Sequence, residues 1–324
     1  MTPISEPRIL LVGAGELGSR HLQSLVTLDN AVIDILEPSA QSAARAKARA
    51  EAVTQHANVV SYFDDVSLLS RHYHVIVVAT SAAVRFEVTM AVLAHCDTQH
   101  VLFEKVLFQC LSDLRDMESF SRERHIRAFV NCPRRLYSLY RRVEDTLSAS
   151  PLQITVAGAD WGLACNSIHF IDLAAMLSDE KLSGVDCTGL GKPLPSKREG
   201  YQELMGTMVC RFERGSTLTL QCESDPAKYN TYSVVIRQGD HVLTIDEATG
   251  RVFDDVSYSH CIIDDGRPPF QSEMTADIVK SLLQSGACDL PTYAQSRLLH
   301  EKMIEAMLPC FDLPVTPESA CPVT

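Results

Sequence analysis

Long apolar runs are missing from this chain: nowhere do 18 residues pass without a charge or a strong polar break, which argues against a transmembrane helix. Basic residues are in deficit. Twenty-nine Lys and Arg stand against 41 Asp and Glu, a formal net charge of −12, which works against a phosphate backbone as the main partner, so no nucleic-acid role is expected. The eleven cysteines include no CxxC pair and sit in apolar segments such as "MVCRF" and "TLQCES". A zinc site or disulfide framework would show a spacing pattern. No metal is therefore expected, and the thiols read as reduced core residues of a cytoplasmic protein. The amino terminus lacks the basic stretch, apolar run and small-residue cleavage site of a signal peptide. Internal repeats and low-complexity tracts are also absent. What remains is an ordinary globular composition, 324 residues and 46% hydrophobic, long enough for two domains.

"RILLVGAGELGSRHLQSL" is a short apolar run that ends in Gly13, Gly15 and Gly18 and passes into an amphipathic helix with Leu22 and Leu25 inward. In that context Gly13 permits the turn, Gly15 lets a pyrophosphate approach the backbone, and Gly18 lets helix and strand pack closely. Loop residues Glu16 and Leu17 lead into the helix, whose amino end faces the phosphates. A second apolar run, "AVIDILE", ends at Glu37, nineteen residues after Gly18. A carboxylate there accepts hydrogen bonds from the adenosine-ribose hydroxyls and repels a 2′-phosphate, so NAD is favoured over NADP.

"HVIVVAT" at 74–80 and "HVLFEK" at 100–105 are near-continuous apolar runs, typical of strands buried on both faces of a parallel sheet. "AVRFEVTMAVLAH" reads as a helix between them, and "IRAFVN" at 126–131 as a further strand. This rhythm predicts an α/β Rossmann domain, doubly wound around a parallel sheet, over residues 1–130. Its ligands belong beyond the carboxyl ends of the strands, where Thr80, Ser81, Glu104, Lys105 and Asn131 fall.

Residues 131–324 change character. A helix near 134–149 and the strand "LQITVAG" precede successive short strands over 204–255 with Gly- and Asp-bearing turns, which predicts an antiparallel meander. Helices at 271–285 and in "LPTYAQSRLLHEKMIEAML" close an α+β domain for substrate binding and oligomerisation. Its largely antiparallel open sheet would leave one face for a second copy of the chain, as a homodimer or homotetramer.

The stretch "LACNSIHFIDLAAML" at 163–177 reads as an apolar helix carrying Cys165, Asn166, His169 and Asp172. At roughly 100° per residue these fall within about a third of the circumference and face one cavity together. "PRRLYSLYRR" at 133–142 is the densest basic stretch. It reads as a solvated helix face, with Arg134 or Arg135 available to hold a carboxylate or phosphate of a substrate. Trp161 and Tyr293 read as packing residues.

Across nearly all of its length the chain resembles the glucose-fructose oxidoreductase and inositol dehydrogenase (Gfo/Idh/MocA) family. "GAGELGSRHLQSL" is similar to that family's GxGxxGxxH start, including His21. "FEKV" at 103–106 resembles its Glu-Lys-Pro motif, with Val106 in place of the proline. "NCPRRLY" at 131–137 is similar to its Asn-Arg-Arg segment. "CNSIHFID" resembles Asp-x-Gly-x-His-x-x-Asp: His169 and Asp172 match, while Cys165 stands for the aspartate and Ser167 for the glycine. The later "LPTYAQSRLLHEKM" looks most like members linked to surface-polysaccharide sugars.

The resemblance implies an NAD-dependent oxidoreductase acting on a hydroxyl or keto carbon of a sugar, nucleotide sugar or polyol, bound in the cleft between the two domains. Lys105 and His169 would flank the reacting hydroxyl, His169 moving its proton and Lys105 orienting it and stabilising the alkoxide. Asp172 would orient the imidazole, Asn166 with Arg134 and Arg135 would bind substrate, and Glu104 would join Gly13, Gly15, Glu16, Leu17, Gly18, Glu37, Thr80 and Ser81 at the cofactor. Two other readings fit the same residues. One is a dinucleotide-binding regulator or partner subunit that lost catalysis, suggested by Cys165 and Val106. The other is a reductase of a non-sugar ligand on the same fold. A SAM-dependent methyltransferase shares the glycine loop but fits the second domain and "FEKV" poorly.

Overall fold

The computed structural model describes residues 6–53 and 58–324. In chain order the elements are β1 (Arg8–Val12), α1 (Gly18–Leu25), β2 (Val32–Leu36), α2 (Ala40–Glu51), β3 (Val59–Phe63), β4 (His72–Val78), α3 (Ala82–His95), β5 (Asp97–Phe103), α4 (Leu111–Glu123) and β6 (Arg127–Val130). There follow α5 (Ser138–Glu144), β7 (Gln153–Ala159), α6 (Leu163–Ser178), β8 (Leu182–Leu190), β9 (Leu194–Pro195), β10 (Gln202–Glu203), β11 (Gly206–Phe212), β12 (Thr217–Glu223), β13 (Thr231–Gln238), β14 (His241–Asp246), β15 (Arg251–Phe253), β16 (Cys261–Asp264), α7 (Gln271–Ser285) and α8 (Tyr293–Met307).

Strands β1 to β6 form a six-stranded sheet in the order β3-β2-β1-β4-β5-β6, all parallel. The central strands are apolar without alternation because both faces are covered, and Ile9, Leu10, Leu11, Val75 and Val77 are fully buried. This is the doubly wound Rossmann arrangement that the apolar runs predict. The second sheet has eight strands in the order β16-β15-β14-β13-β7-β12-β11-β8. All its pairings are antiparallel except β7 with β12. The expected meander is therefore interrupted: β7 lies between β12 and β13, which are successive in sequence but not paired.

Two compact units result. One holds the chain up to Phe108 with Arg115–Asn131 and Pro269–Ala294, the other Gln109–Leu114, Cys132–Pro268 and Gln295–Thr324. A single boundary at residue 130 thus misplaces α7. Its buried face, Met274, Thr275, Ile278, Val279 and Leu282, packs on α1 of the first unit, where the Ala276 N–H donates to Ser24 Oγ at 2.9 Å.

The second unit corrects the reading of "PRRLYSLYRR" as a solvated helix face. A 3-10 turn, Pro133–Leu136, precedes α5, and both of its arginines turn inward. Arg134 donates to both oxygens of Glu247, each at 2.8 Å, and lies 4.2 Å from the centre of the Phe170 ring. Tyr140 and Tyr232 also donate to Glu247. Burial works to raise the Glu247 carboxyl, but the Arg134 charge and these hydrogen bonds outweigh it and hold the group ionised. Removing one partner of such a buried pair strands the other charge. Glu247→Gln should therefore lose about 3–5 kcal/mol in urea denaturation, and a loss below about 1 kcal/mol, the range of an exposed pair, would show that this pair does not hold the unit.

Candidate active site

The glycine loop is built as its spacing implies. Gly13 leaves β1 at φ +86°, a conformation that disfavours a side chain. A Cβ on Gly18 would sit 2.0 Å from the Gly13 carbonyl oxygen, so only glycine lets α1 approach the strand this closely. A Cβ on Gly15 would meet nothing within 4 Å. It would project into open space, as a loop that receives a phosphate group requires.

A cavity of ≈ 410 Å³ opens beside this loop, lined by Val12, Gly13, Gly15, Glu37, Thr80 and Ser81, with Val66, Val84, Val88 and Ala91 as an apolar wall. Glu37 stands at the end of β2. Its two carboxylate oxygens accept from the N–H groups of Ala14 at 2.7 Å and Ser39 at 2.9 Å, which fixes its orientation. The Thr80 hydroxyl is buried in the wall without a hydrogen-bond partner. An open space at Gly15, a fixed ribose acceptor and an apolar wall for a base fit a dinucleotide. Glu16 and Leu17, expected with these residues, are not among the lining residues, and the exposed Glu16 carboxylate instead pairs with Arg49 of α2 at 2.6 Å.

Glu104 is also turned elsewhere. It follows β5 and is 3% exposed. Its Oε1 is shared by His21 Nε2 at 2.8 Å and the Asn131 amide, while the other ring nitrogen of His21 meets Thr275 Oγ1 at 2.9 Å. Gln271 of α7 accepts from Asn131 at 2.7 Å. Burial works to raise the Glu104 carboxyl, but the His21 hydrogen bond and charge, the Asn131 hydrogen bond and the Arg85 charge together hold it below its ordinary value. Glu104, expected at the cofactor, thus bonds internally and anchors the loop that carries Lys105. The Lys105–Val106 peptide is cis.

In the second unit, α6 presents Gly162, Cys165, Asn166 and His169 as a partly exposed stripe, while the positions between are buried. Asp172 leaves this group. It is fully buried, and Arg135 donates to both its oxygens at 2.7 and 2.8 Å. Asp172, expected to orient the imidazole, and Arg135, expected at the substrate, form one internal pair, and Arg134, also expected at the substrate, pairs with Glu247. The Asn166 amide donates to the Trp161 carbonyl at 2.7 Å. Trp161 is buried, edge-on to Phe170, and donates to the Gln221 carbonyl. Tyr293 packs on Phe103. Both are core residues.

Several residues escaped the sequence reading. Arg85 of α3 is 2% exposed and faces the Lys105 loop. Glu203 of β10 accepts from the Ala164 N–H at 2.9 Å, capping α6 beside Gly162. Arg85 carries the only signal, a lone cation within the apolar stretch "AAVRFEV". Among the described residues no cluster of His, Cys, Asp and Glu is arranged to hold a metal, and no helix is long and apolar enough to cross a membrane.

Comparison with known proteins bears on this site. Residues 7–132 match the oxidoreductase family Gfo/Idh/MocA, described as an NAD-binding Rossmann fold. No curated protein matches. Among solved structures, UDP-N-acetylglucosamine 3-dehydrogenase from Acidithiobacillus ferrooxidans is 15% identical, covers 96% of this chain and 99% of its own, and superposes with a TM-score of 0.69. An oxidoreductase from Agrobacterium radiobacter in complex with NAD+, L-tartaric acid and magnesium is 13% identical, with coverages of 95% and 97% and a TM-score of 0.70. Scyllo-inositol dehydrogenase from Lactobacillus casei with NAD(H) and scyllo-inositol is 16% identical, with coverages of 95% and 97% and a TM-score of 0.67. At these identities the likeness is one of fold.

Gly18→Ala forces helix and loop apart and should weaken NADH binding about tenfold or more in a fluorescence titration; unchanged affinity would contradict the packing role. Because the folded-state pKa of Glu104 lies below its unfolded value, its contribution to stability is present above roughly pH 4.5 and lost as pH falls through the folded pKa. Thermal melting should therefore weaken less steeply between about pH 5 and 3 in Glu104→Gln than in the wild type. Equal slopes would count against the buried carboxylate.

Proposed function

We propose, from the match of residues 7–132 to the NAD-binding Rossmann fold of the Gfo/Idh/MocA oxidoreductases, that this protein transfers a hydride between nicotinamide and a hydroxyl- or keto-bearing carbon of a sugar, nucleotide sugar or polyol. The cavity between the glycine loop and Glu37 carries the reading. NAD, when bound, supplies the hydride acceptor or donor. The chain's own residues do the rest. The loop from Gly13 to Gly18 brings backbone and the start of α1 to the pyrophosphate, and Glu37 accepts from the ribose hydroxyls while its charge disfavours a 2′-phosphate.

Oxidation of an alcohol carbon requires that the hydroxyl lose its proton. His169, on the open stripe of α6, is the acid-base group for that proton. Lys105 orients the hydroxyl and stabilises the developing alkoxide by its charge. The substrate class is supported by the sugar nucleotide and inositol named for two of the similar structures. The second sheet supports a homo-oligomer. One face packs against α6, whereas Thr155, Ala157, Val209, Thr219 and Val235 alternate with the buried positions and form a small-sided, partly exposed opposite face. The eleven thiols, most of them in apolar surroundings, suit a cytoplasmic, reducing setting.

The test is absorbance at the nicotinamide band with NAD and a panel of scyllo-inositol, myo-inositol and UDP-N-acetylglucosamine. His169→Asn should lower kcat by about 10²–10⁴-fold while NADH affinity stays within about twofold. Turnover unaffected by this substitution would remove His169 from the mechanism. Tight NADH binding without turnover of any panel member would favour the binding-only regulator.

A further inference from the structure

Arg85 is a guanidinium buried in the first turn of α3, where a charge is costly unless paired and hydrogen-bonded. Its donors converge on backbone carbonyls. Nε, at 3.1 Å, and Nη2 both reach the Thr80 carbonyl. Nη1 reaches the carbonyls of Glu104 at 2.7 Å, Val106, and Leu107 at 3.1 Å. The nearby Glu104 carboxylate balances the charge. One planar cation thus joins two segments of the same unit. The first, Thr80 and Ser81, is wall of the dinucleotide cavity; the second is the loop that flanks Lys105 on both sides. That loop lacks a proline at Val106, so no ring restrains φ there.

We propose that Arg85 is a positioning residue: it ties the Lys105 loop to the wall of the dinucleotide cavity, so that occupancy of the cavity and placement of the Lys105 amine are coupled. The proposal rests on the role given to Lys105 above and extends it to a residue that need not touch substrate. A guanidinium suits this task because its planar fork serves several acceptors at once, which an ammonium on a flexible stem does not reproduce.

The experiment compares wild type, Arg85→Lys and Arg85→Gln as full-length proteins. Lys105 is labelled with an amine-reactive ester, with and without NAD, and its rate is read by mass spectrometry. In wild type NAD should slow labelling at least about threefold; in both variants labelling should be faster without NAD and the NAD effect should shrink to within about 1.5-fold, since the fork is lost. Because coupling is reciprocal, NADH affinity should fall by no more than about the same threefold that is lost from the labelling effect. NAD protection that persists in the variants would mean direct shielding of Lys105 and would overturn the proposal, as would a loss of NADH affinity beyond about tenfold, which would mean damage to the cavity itself. Should both variants unfold, the wild type decides: NAD must slow amide exchange across residues 104–107, and unchanged exchange there overturns the coupling. With a panel member that turns over, Arg85→Lys should lower kcat about 10–100-fold with KM within about threefold, as expected for misplacement of a group near the chemistry. Full activity in Lys105→Met would instead refute the role of Lys105, leaving the labelling result to judge the tie made by Arg85.

Discussion

A carboxylate with almost no solvent holds the first unit together. Glu104 meets His21 from α1, Asn131 from the end of β6 and the charge of Arg85 from α3, and through His21 and Asn131 it reaches Thr275 and Gln271 of α7. Elements far apart in sequence thereby agree on one point at the carboxyl end of β5. An ionised group in such a place is stable only if nearly every lone pair is satisfied. The network thereby also ties α7 into the first unit, although more than a hundred residues of the other unit precede it.

The second unit uses the same device twice. Adjacent arginines in one 3-10 turn are directed to different buried carboxylates, Arg134 to Glu247 of the sheet region and Arg135 to Asp172 of α6. Both guanidiniums are kept protonated, since the paired carboxylates outweigh the burial that opposes them. Bidentate pairing sets angle as well as distance. The turn after β6 thus orients α6 through Asp172, and the open stripe with His169 follows from which face of α6 that pair buries.

Elements buried on both faces were the readable ones. β1, β2, β4, β5 and β6 appear as apolar runs, and the three glycines mark the turn because its backbone geometry requires them. β3 leaves a weaker signal, for it lies at the edge of its sheet with only partly buried side chains. β8, "LSGVDCTGL", hides behind its glycines and mixed burial. The insertion of β7 between β12 and β13 is a long-range pairing with no local trace. Periodicity placed Cys165, Asn166 and His169 on one side of α6 but could not say that Asp172, slightly round the helix, meets an arginine 37 residues earlier. Likewise the Arg-Arg pair is polar by composition and buried by partnership, which a local pattern cannot register.

Two departures from the motifs that the chain resembles bear on the same question, namely what fixes a side chain proposed to be reactive when a local restraint is absent. Val106 leaves the Lys105 loop without a pyrrolidine ring, and there Arg85 holds three carbonyls of four consecutive residues. Cys165 leaves the start of the His169 helix without a carboxylate of its own, and there Glu203 from a separate strand supplies one to the Ala164 N–H. In each case order comes from a side chain distant in sequence, whose effect on the backbone is set by hydrogen-bond geometry more than by torsional limits. Restraint of that kind depends on the partner's own support. Arg85 lies beside the Glu104 carboxylate, which is itself held by His21 and Asn131. The Lys105 loop is consequently tied to the buried network behind it, so that on the proposed reading the placement of Lys105 is set in the core of the Rossmann unit and not by the residues on either side of it.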